Sequence, residues 1–352
     1  MCIYFPDGTP DLTYNNQEHI FPAGLGGKLK LANIIVSDQA NKLFSSLEIT
    51  LIRHSLLSFE RAIYGPGKRS SLAPQHASKS PVYYSIETET QKPILSYMSL
   101  GKPHTICQFY LCNNKDCYIS APSNNLNNQI VFLHFLTNLK KFNNVFTHIR
   151  GNTLKENDII IGYHDKKFYV STKSVRPSSQ EVKNIIRKFL NNFVMNTINT
   201  STNHVSQHFS IVENEEISRI YAKVAINALT YLKGAAFTTL SEFNEIKQWI
   251  LTGKSKTEYF YLPSIVTPDT LPIIKTFPDK SHWCLFLCRD DELVAFVCFY
   301  NRYVRQFTLC KIPNGYIKSP IGLICDWQNG MEYTLDKHIL NIAQEYNNFE
   351  KQ

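Results

Sequence analysis

The sequence predicts an α+β fold: a small N-terminal unit followed by a larger mixed α/β domain with antiparallel strands. Two kinds of pattern carry this. Apolar residues recur near helical spacing in the segments 38–64, 179–198, 213–234 and 241–253. Shorter runs rich in β-branched and aromatic residues, bounded by turn residues, fill much of the rest. A third observation bounds the class: no apolar run reaches the ~18 residues that would span a bilayer.

The first 36 residues are irregular, with strand candidates around Cys2–Phe5 and His19–Phe21, closed by "LANIIV". A long helix then starts, capped by Ser37 or Asp38. Leu43, Phe44, Leu47, Leu51, Leu57 and Phe59 mark its buried face, and "GPGKRSS" ends it, because proline and glycine cannot continue the ladder. The Pro/Ser/Lys-rich stretch 66–81 reads as a linker with little to bury, exposed and open to proteases. This divides the chain into 1–65, the linker 66–81, and 82–352.

Beyond the linker, "YYSIETET", "ILSYMSL", "ICQFYLC" and "CYISAP" read as strands, and 158–172 as a hairpin turning at His164–Lys167. Residues 179–198, 213–234 and 241–253 read as helices; the second starts acidic and ends in Lys-Gly. Residues 282–310 read as two or three antiparallel strands. Lys223, among apolar residues of the second helix, is expected at the core edge with its ammonium reaching solvent.

The chain has 352 residues, 43% of them hydrophobic, enough for a sizeable core. Its formal charge of +8 is spread along the chain and suits a polyanionic partner. "MCIYFPDGTPD" has neither the basic start nor the apolar core of a secretory signal, so a cytoplasmic protein without membrane contact is expected. Nine cysteines at irregular spacing are expected to be mostly buried thiols. His104, Cys107, Cys112 and Cys117 cluster, but lack the spacing of the usual zinc sites; "NNKD" instead suggests a turn with Cys112 and Cys117 facing across it.

The chemistry-bearing stretch is "NNQEHIFPAGLGG". Glu18 precedes His19; Asn33 follows 14 residues after His19, and Asn41 a further 8 on, inside the new helix. A neutral histidine can take a proton from water near pH 7. A carboxylate and an amide carbonyl are the oxygen ligands a small hard cation prefers. Neighbours on a strand point to opposite faces, so Glu18 and His19 can serve one site only if the chain twists or turns there.

This layout resembles the HNH, or ββα-metal, endonuclease family. It is closest to a branch reading "EH", two hydrophobic residues, "P…GG", then "VCxxCN", then a helix with "LxRxS". "EHIFPAGLGG", "VSDQANKLFSSLE" and "LIRHSLLSFERAIYG" match it over residues 1–70, and "RIYAKVAINALTYLKGAAF" with "SEFNEIKQWILTG" more loosely. The resemblance implies an N-terminal ββα-metal module that hydrolyses phosphodiester bonds in DNA. His19 would be the general base, Glu18 and Asn41 the ligands of one Mg²⁺ or Mn²⁺, and Asn33 a catalytic-site residue orienting the loop.

The glycines would let the loop turn and approach phosphate. Lys28, Lys30, Arg53, Arg61, Lys68 and Arg69 would follow the DNA backbone. Relatives carry CxxC pairs for a structural zinc; here these read "CIYF" and "SDQA", so no structural zinc is expected, and Tyr4 and Phe5 would fill its place. The C-terminal region would choose targets or bind a protein partner or second copy, as in an effector of antiviral or mobile-element conflict. The alternative is an HNH-fold binder of nucleic acid or a partner without the reaction.

Overall fold

In the computed structural model the described residues are 2–6, 8–67, 71–88, 90–112, 116–122, 128–192, 205–206, 215–254, 271–311 and 317–349. They form an α+β protein whose strand pairs are antiparallel with one exception. The chain folds into two compact units: one joins Met1–Ser78 with Ile211–Gln352, the other is Lys79–Ser210. The sequence places 82–352 in a single domain; here the residues beyond 210 complete the hydrophobic core of the N-terminal ones instead.

The first unit is built from its N-terminal helices. Ser37 caps α1 (Asp38–His54), its side chain accepting from Ala40 N, and Phe44, Leu47 and Leu51 face inward. The expected long helix breaks at Ser55, which is extended. Its hydroxyl donates to Leu51 O and accepts from Leu57 N, so it competes for the backbone groups that would continue α1. The second piece, α2 (Leu57–Tyr64), stops at Gly65.

The C-terminal part supplies α5 (Glu215–Lys233), the short α6 (Ala235–Thr238) and α7 (Asn244–Thr252). These pack with a five-stranded sheet of β10 (His282–Arg289), β11 (Glu292–Phe299), β12 (Tyr303–Lys311), β13 (Ile321–Asp326) and β14 (Met331–Thr334), in the order β12-β11-β10-β13-β14. Side chains alternate across that sheet. Cys284, Phe286, Ala295, Val297 and Leu323 join the core that holds α1 and α5. Trp283, Leu285, Cys298 and Ile324 form a second core with Phe277 and with Leu335, which opens α8 (Leu335–Phe349). Helix α5 is thus enclosed on nearly every side.

The second unit has two sheets. β1 (Tyr83–Glu87), β2 (Pro93–Ser99), β3 (Lys102–Thr105) and β9 (Val205–Ser206) form one, ordered β3-β2-β1-β9. β4 (Cys107–Cys112), β5 (Asp116–Ser120), β6 (Thr147–Arg150), β7 (Ile159–His164) and β8 (Lys167–Thr172) form the other, ordered β5-β4-β7-β8-β6. Helices α3 (Asn128–Lys140) and α4 (Ser179–Asn192) share a core with Phe109 and Val170 of the latter. The expected hairpin turns at Asp165 and Lys166, both at positive φ, as a two-residue turn matched to strand twist requires.

Several local expectations are corrected. Cys2–Phe5 is a turn, not a strand, anchored by Ile3 N donating to Ile35 O at 3.0 Å. Cys112 and Cys117 are one register step apart, facing Asp116 and Leu111 respectively, and all nine cysteines are free. The tip residues 113–115 and the helix end 193–198 lie outside the described residues. Where it is described, the segment expected to be an exposed linker is exposed at Leu72, Pro74, Gln75, His76 and Lys79 but tied down elsewhere: Gly67 N donates to Ser71 O at 2.7 Å, and Ser78 and Ser80 are buried. Its serines find backbone partners in place of the missing apolar surface, Ser78 on Pro66 O and Ser80 on Met98 N.

Gly67 tests that packing. A Cβ there would collide with the His76 carbonyl. Gly67→Ala is expected to cost about 1–3 kcal/mol in urea unfolding, the usual range for overpacking against backbone; a cost near zero would mean the segment is not held.

Candidate active site

Residues 18–20 and 29–31 pair antiparallel through a bridge at His19 and Lys30. Ile20 N donates to Leu29 O at 3.0 Å, and Leu31 N to Glu18 O at 2.8 Å. Alternation along this short strand sends Glu18 and Ile20 inward, 7% and 0% exposed, and leaves His19 half-buried.

The connecting loop is a 3₁₀ turn (Ala23–Leu25) closed by Gly26 at φ +97°, a conformation glycine adopts without cost. The expectation that these glycines open the loop toward phosphate is not what the packing shows. Gly26 and Gly27 are buried; a Cβ on Gly26 would meet Trp327 Cβ at 2.6 Å, and one on Gly27 would collide with Phe21 O. Glu332 of β14 receives the next two amides, Lys28 N at 3.0 Å and Leu29 N.

The stretch before Glu18 is fastened to α1. Asp38 Oδ2 accepts from Asn15 N and Nδ2, both at 2.9 Å. Its Oδ1 accepts from Asn16 N at 3.0 Å and Nδ2 at 2.9 Å. The Asn15 amide and these other donors hold the Asp38 carboxyl well below the usual carboxylate range. Asn41, in the first turn of α1, donates its amide to Asn16 O at 3.5 Å. Two turns on, the same helix face presents Glu48.

Glu48 leads to a residue group brought in from far along the chain. Lys223 of α5 is fully buried, contrary to its expected place at the core edge. Its Nζ contacts Glu18 Oε1, meets Glu48 Oε1 at 2.8 Å and donates to His19 O at 3.2 Å. One helical turn later, Asn227 Nδ2 donates to His19 O at 3.1 Å and reaches Glu18 Oε1 at 3.5 Å. Tyr4 donates its hydroxyl to Asn227 Oδ1 at 2.7 Å and sets its ring edge-on to Phe44, centroids 4.8 Å apart. Ser37 N donates to Cys2 Sγ at 3.3 Å, so the two segments that carry cysteine pairs in the resembled branch lie side by side.

The charges explain the titration of the group. Burial works against the Lys223 ammonium, but Glu18 and Glu48 outweigh it and keep the amine protonated. Two carboxylates share one ammonium, and Glu18 carries the imbalance. Burial lifts its carboxyl above the usual value against the pull of Lys223, and Glu48 adds to the lift. The His19 pKa is lowered, by burial first and then by Lys30 and Lys223.

The remaining expected residues divide. Lys30 and Arg53 are exposed, and so is Lys28, whose ammonium reaches Gly330 O at 3.4 Å. Arg61 turns inward, donating from Nη2 to Gly67 O at 2.9 Å. Asn33 is exposed and, among the described residues, has no side-chain hydrogen bond that would orient the loop. Lys68 and Arg69 lie outside the described residues.

A divalent cation can be tested against these donors. The Lys223 ammonium already takes three oxygens here, from Glu18, Glu48 and His19. Glu18 and Glu48 are hard oxygen donors, the type Mg²⁺ or Mn²⁺ prefers, with Oε1 of each held by Lys223, while the Asn41 amide is turned to Asn16 O. Among the described residues no three His, Cys, Asp or Glu side chains gather as a ligand group.

Glu48, Lys223, Asn227 and Tyr4 were not singled out as site residues from the sequence. The one available signal was a lysine at a helical position surrounded by apolar residues, since such a lysine must either escape or find a carboxylate.

No protein-family model, curated protein or solved structure matches this chain. No helix among the described residues is long and apolar enough to cross a membrane.

Two stability measurements follow. Lys223→Met leaves two carboxylates without their cation and is expected to cost ~3–5 kcal/mol, the usual penalty for breaking a buried pair; a shift below ~1 kcal/mol would show that the group is wet. Asp38 has a depressed folded pKa, so its contribution is present above the unfolded value near ~4 and lost as pH falls through and below it. Asp38→Asn should therefore flatten the acid limb of a stability-versus-pH curve; an unchanged limb would remove Asp38 as the anchor.

Proposed function

We propose that this chain is a divalent-metal-dependent endonuclease that hydrolyses phosphodiester bonds in DNA, with a site of the ββα-metal type at Glu18-His19. The observation that carries the reading is the half-buried His19, whose pKa is lowered by burial and by Lys30 and Lys223, bridged to the exposed Lys30 on the facing strand.

His19 takes a proton from the attacking water at its unprotonated ring nitrogen. The water oxygen bonds to phosphorus, the bond to the ester oxygen breaks, and that oxygen leaves with a proton from solvent. Lys30, exposed beside His19, meets the phosphate and disfavours a second proton on the imidazole. Lys28, and Arg53 at the end of α1, are further exposed basic side chains for phosphate. Glu18, Glu48 or Asn41 would hold the Mg²⁺ or Mn²⁺, which would supply charge neutralisation at the phosphate and the departing oxygen.

A second reading has its own support. Lys223 already takes an oxygen of each carboxylate, and Asn33 has no orienting bond, which suits a nucleic-acid binder of this shape that lacks the reaction.

Plasmid cleavage by the purified full chain with Mg²⁺ or Mn²⁺, with and without EDTA, separates the two. The nuclease reading expects metal-dependent nicking or linearisation, reduced ~10²–10⁴-fold by His19→Ala, with DNA binding kept. Asn33→Ala should cut like wild type. Lys30→Ala should weaken DNA binding and lower its salt dependence by about one phosphate contact. DNA binding without any cleavage would leave the binder.

A further inference from the structure

The His19 carbonyl is gripped from one side by two donors of a single helix. Lys223 Nζ reaches it at 3.2 Å and Asn227 Nδ2 at 3.1 Å, and the residues are one turn apart on α5. Each donor is itself fixed. Lys223 is held by Glu18 and by Glu48 of α1. Asn227 has its carbonyl oxygen occupied by the Tyr4 hydroxyl, so its amide must present the NH₂ to His19 and Glu18. Tyr4 also donates to Lys223 O at 3.3 Å. A hairpin of so few residue pairs is marginal by itself, so the direction of the His19 side chain depends on what holds its peptide.

We infer that Lys223 and Asn227 are positioning residues for His19, and that α5 forms part of the active site by clamping the His19–Ile20 peptide against α1. The inference rests on the proposed role of His19. Neither residue touches the scissile phosphate. Both act through the orientation of the imidazole, so their loss lowers the rate of the chemical step and leaves DNA affinity intact. Asn227 is the more informative of the two, because removing it leaves every charge of the group paired.

The test uses the full chain, with folding of each variant checked by circular dichroism. Asn227→Ala is expected to lower kcat about 10²-fold with KM for DNA unchanged, the scale of loss for a displaced catalytic group. Asn227→Gln, which keeps the amide donor, is expected to recover much of the loss. Tyr4→Phe frees the Asn227 amide to rotate and is expected to show a smaller fall in kcat alone.

A second readout does not depend on cleavage. The His19 imidazole carbon–proton NMR signal, assigned through His19→Gln, is expected to be single and sharp in wild type, and broadened or doubled in Asn227→Ala. An unchanged His19 signal in folded Asn227→Ala overturns the clamp whether or not the protein cuts DNA. So does an unchanged kcat, or a rise in KM with kcat kept. Absence of cleavage in wild type, with the NMR change present, removes the nuclease reading and leaves the clamp standing.

Discussion

A single ammonium organises the first unit. Lys223 sits in the core among Phe44, Glu18, Glu48 and the His19 carbonyl, fully removed from water. Taking such a charge into an apolar interior is costly, and only a complete set of oxygen partners offsets it. Those partners come from two places, the short strand at 18–19 and the middle of α1, and Tyr4 of the N-terminal turn bonds the Lys223 carbonyl beside them. Satisfying one lysine therefore fixes the mutual placement of segments that have little regular structure of their own. Apolar contacts would bring the same segments together without specifying their rotation. The ion group specifies it, because a shift of one residue along the strand would exchange Glu18 for His19 in the interior.

Around that group, the irregular N-terminal residues are held by side chains acting as backbone partners. Asp38 takes four donors from Asn15 and Asn16. Glu332 takes two amides at the end of the glycine-rich loop. Arg302 and Tyr303 both reach Glu60, at 2.9 Å and 2.7 Å, and tie α2 to the C-terminal sheet. Short strands leave many amides and carbonyls without ladder partners, and buried polar groups must be paired. Here acidic side chains from other elements supply part of the pairing, beside the loop's own bonds from Leu25, Gly26 and Gly27 to Pro22 O and Ala23 O.

What could be read from the sequence was what is local. The cap at Ser37, the turn at Asp165-Lys166, the helix ending at Gly234 and the three strands within 282–310 all announce themselves within a few residues. The break at Ser55 did not, because serine is tolerated in helices and only its bonds to Leu51 O and Leu57 N reveal the interruption. Helix α3 was missed because "NQIVFLHFLTNLK" is apolar on most sides, so its period does not separate helix from strand. In the site, Glu18 and His19 stood out as neighbours of unusual type. Glu48 and Asn227 look like ordinary helix residues until α1 and α5 are side by side. Lys223 was misplaced because a lysine near a core is usually at its edge, and nothing close in the chain shows the carboxylates that hold it.

The distance along the chain between the two halves of the site has a consequence for synthesis. His19 and Lys223 are 204 positions apart, and the whole of the second unit is translated between them. At the usual pace of ~5–20 residues per second, a ribosome needs about 10–40 s to cover that interval. During this time the nascent N-terminal segment carries Glu18 and Glu48 without their cation, and His19 without the two donors on its carbonyl. The second unit can fold as it emerges, while the first stays open behind it. A chain released early by truncated message or stalled translation would lack α5 and so the interior half of the site. Assembly of the site is thereby placed after the second unit and α5 have been made.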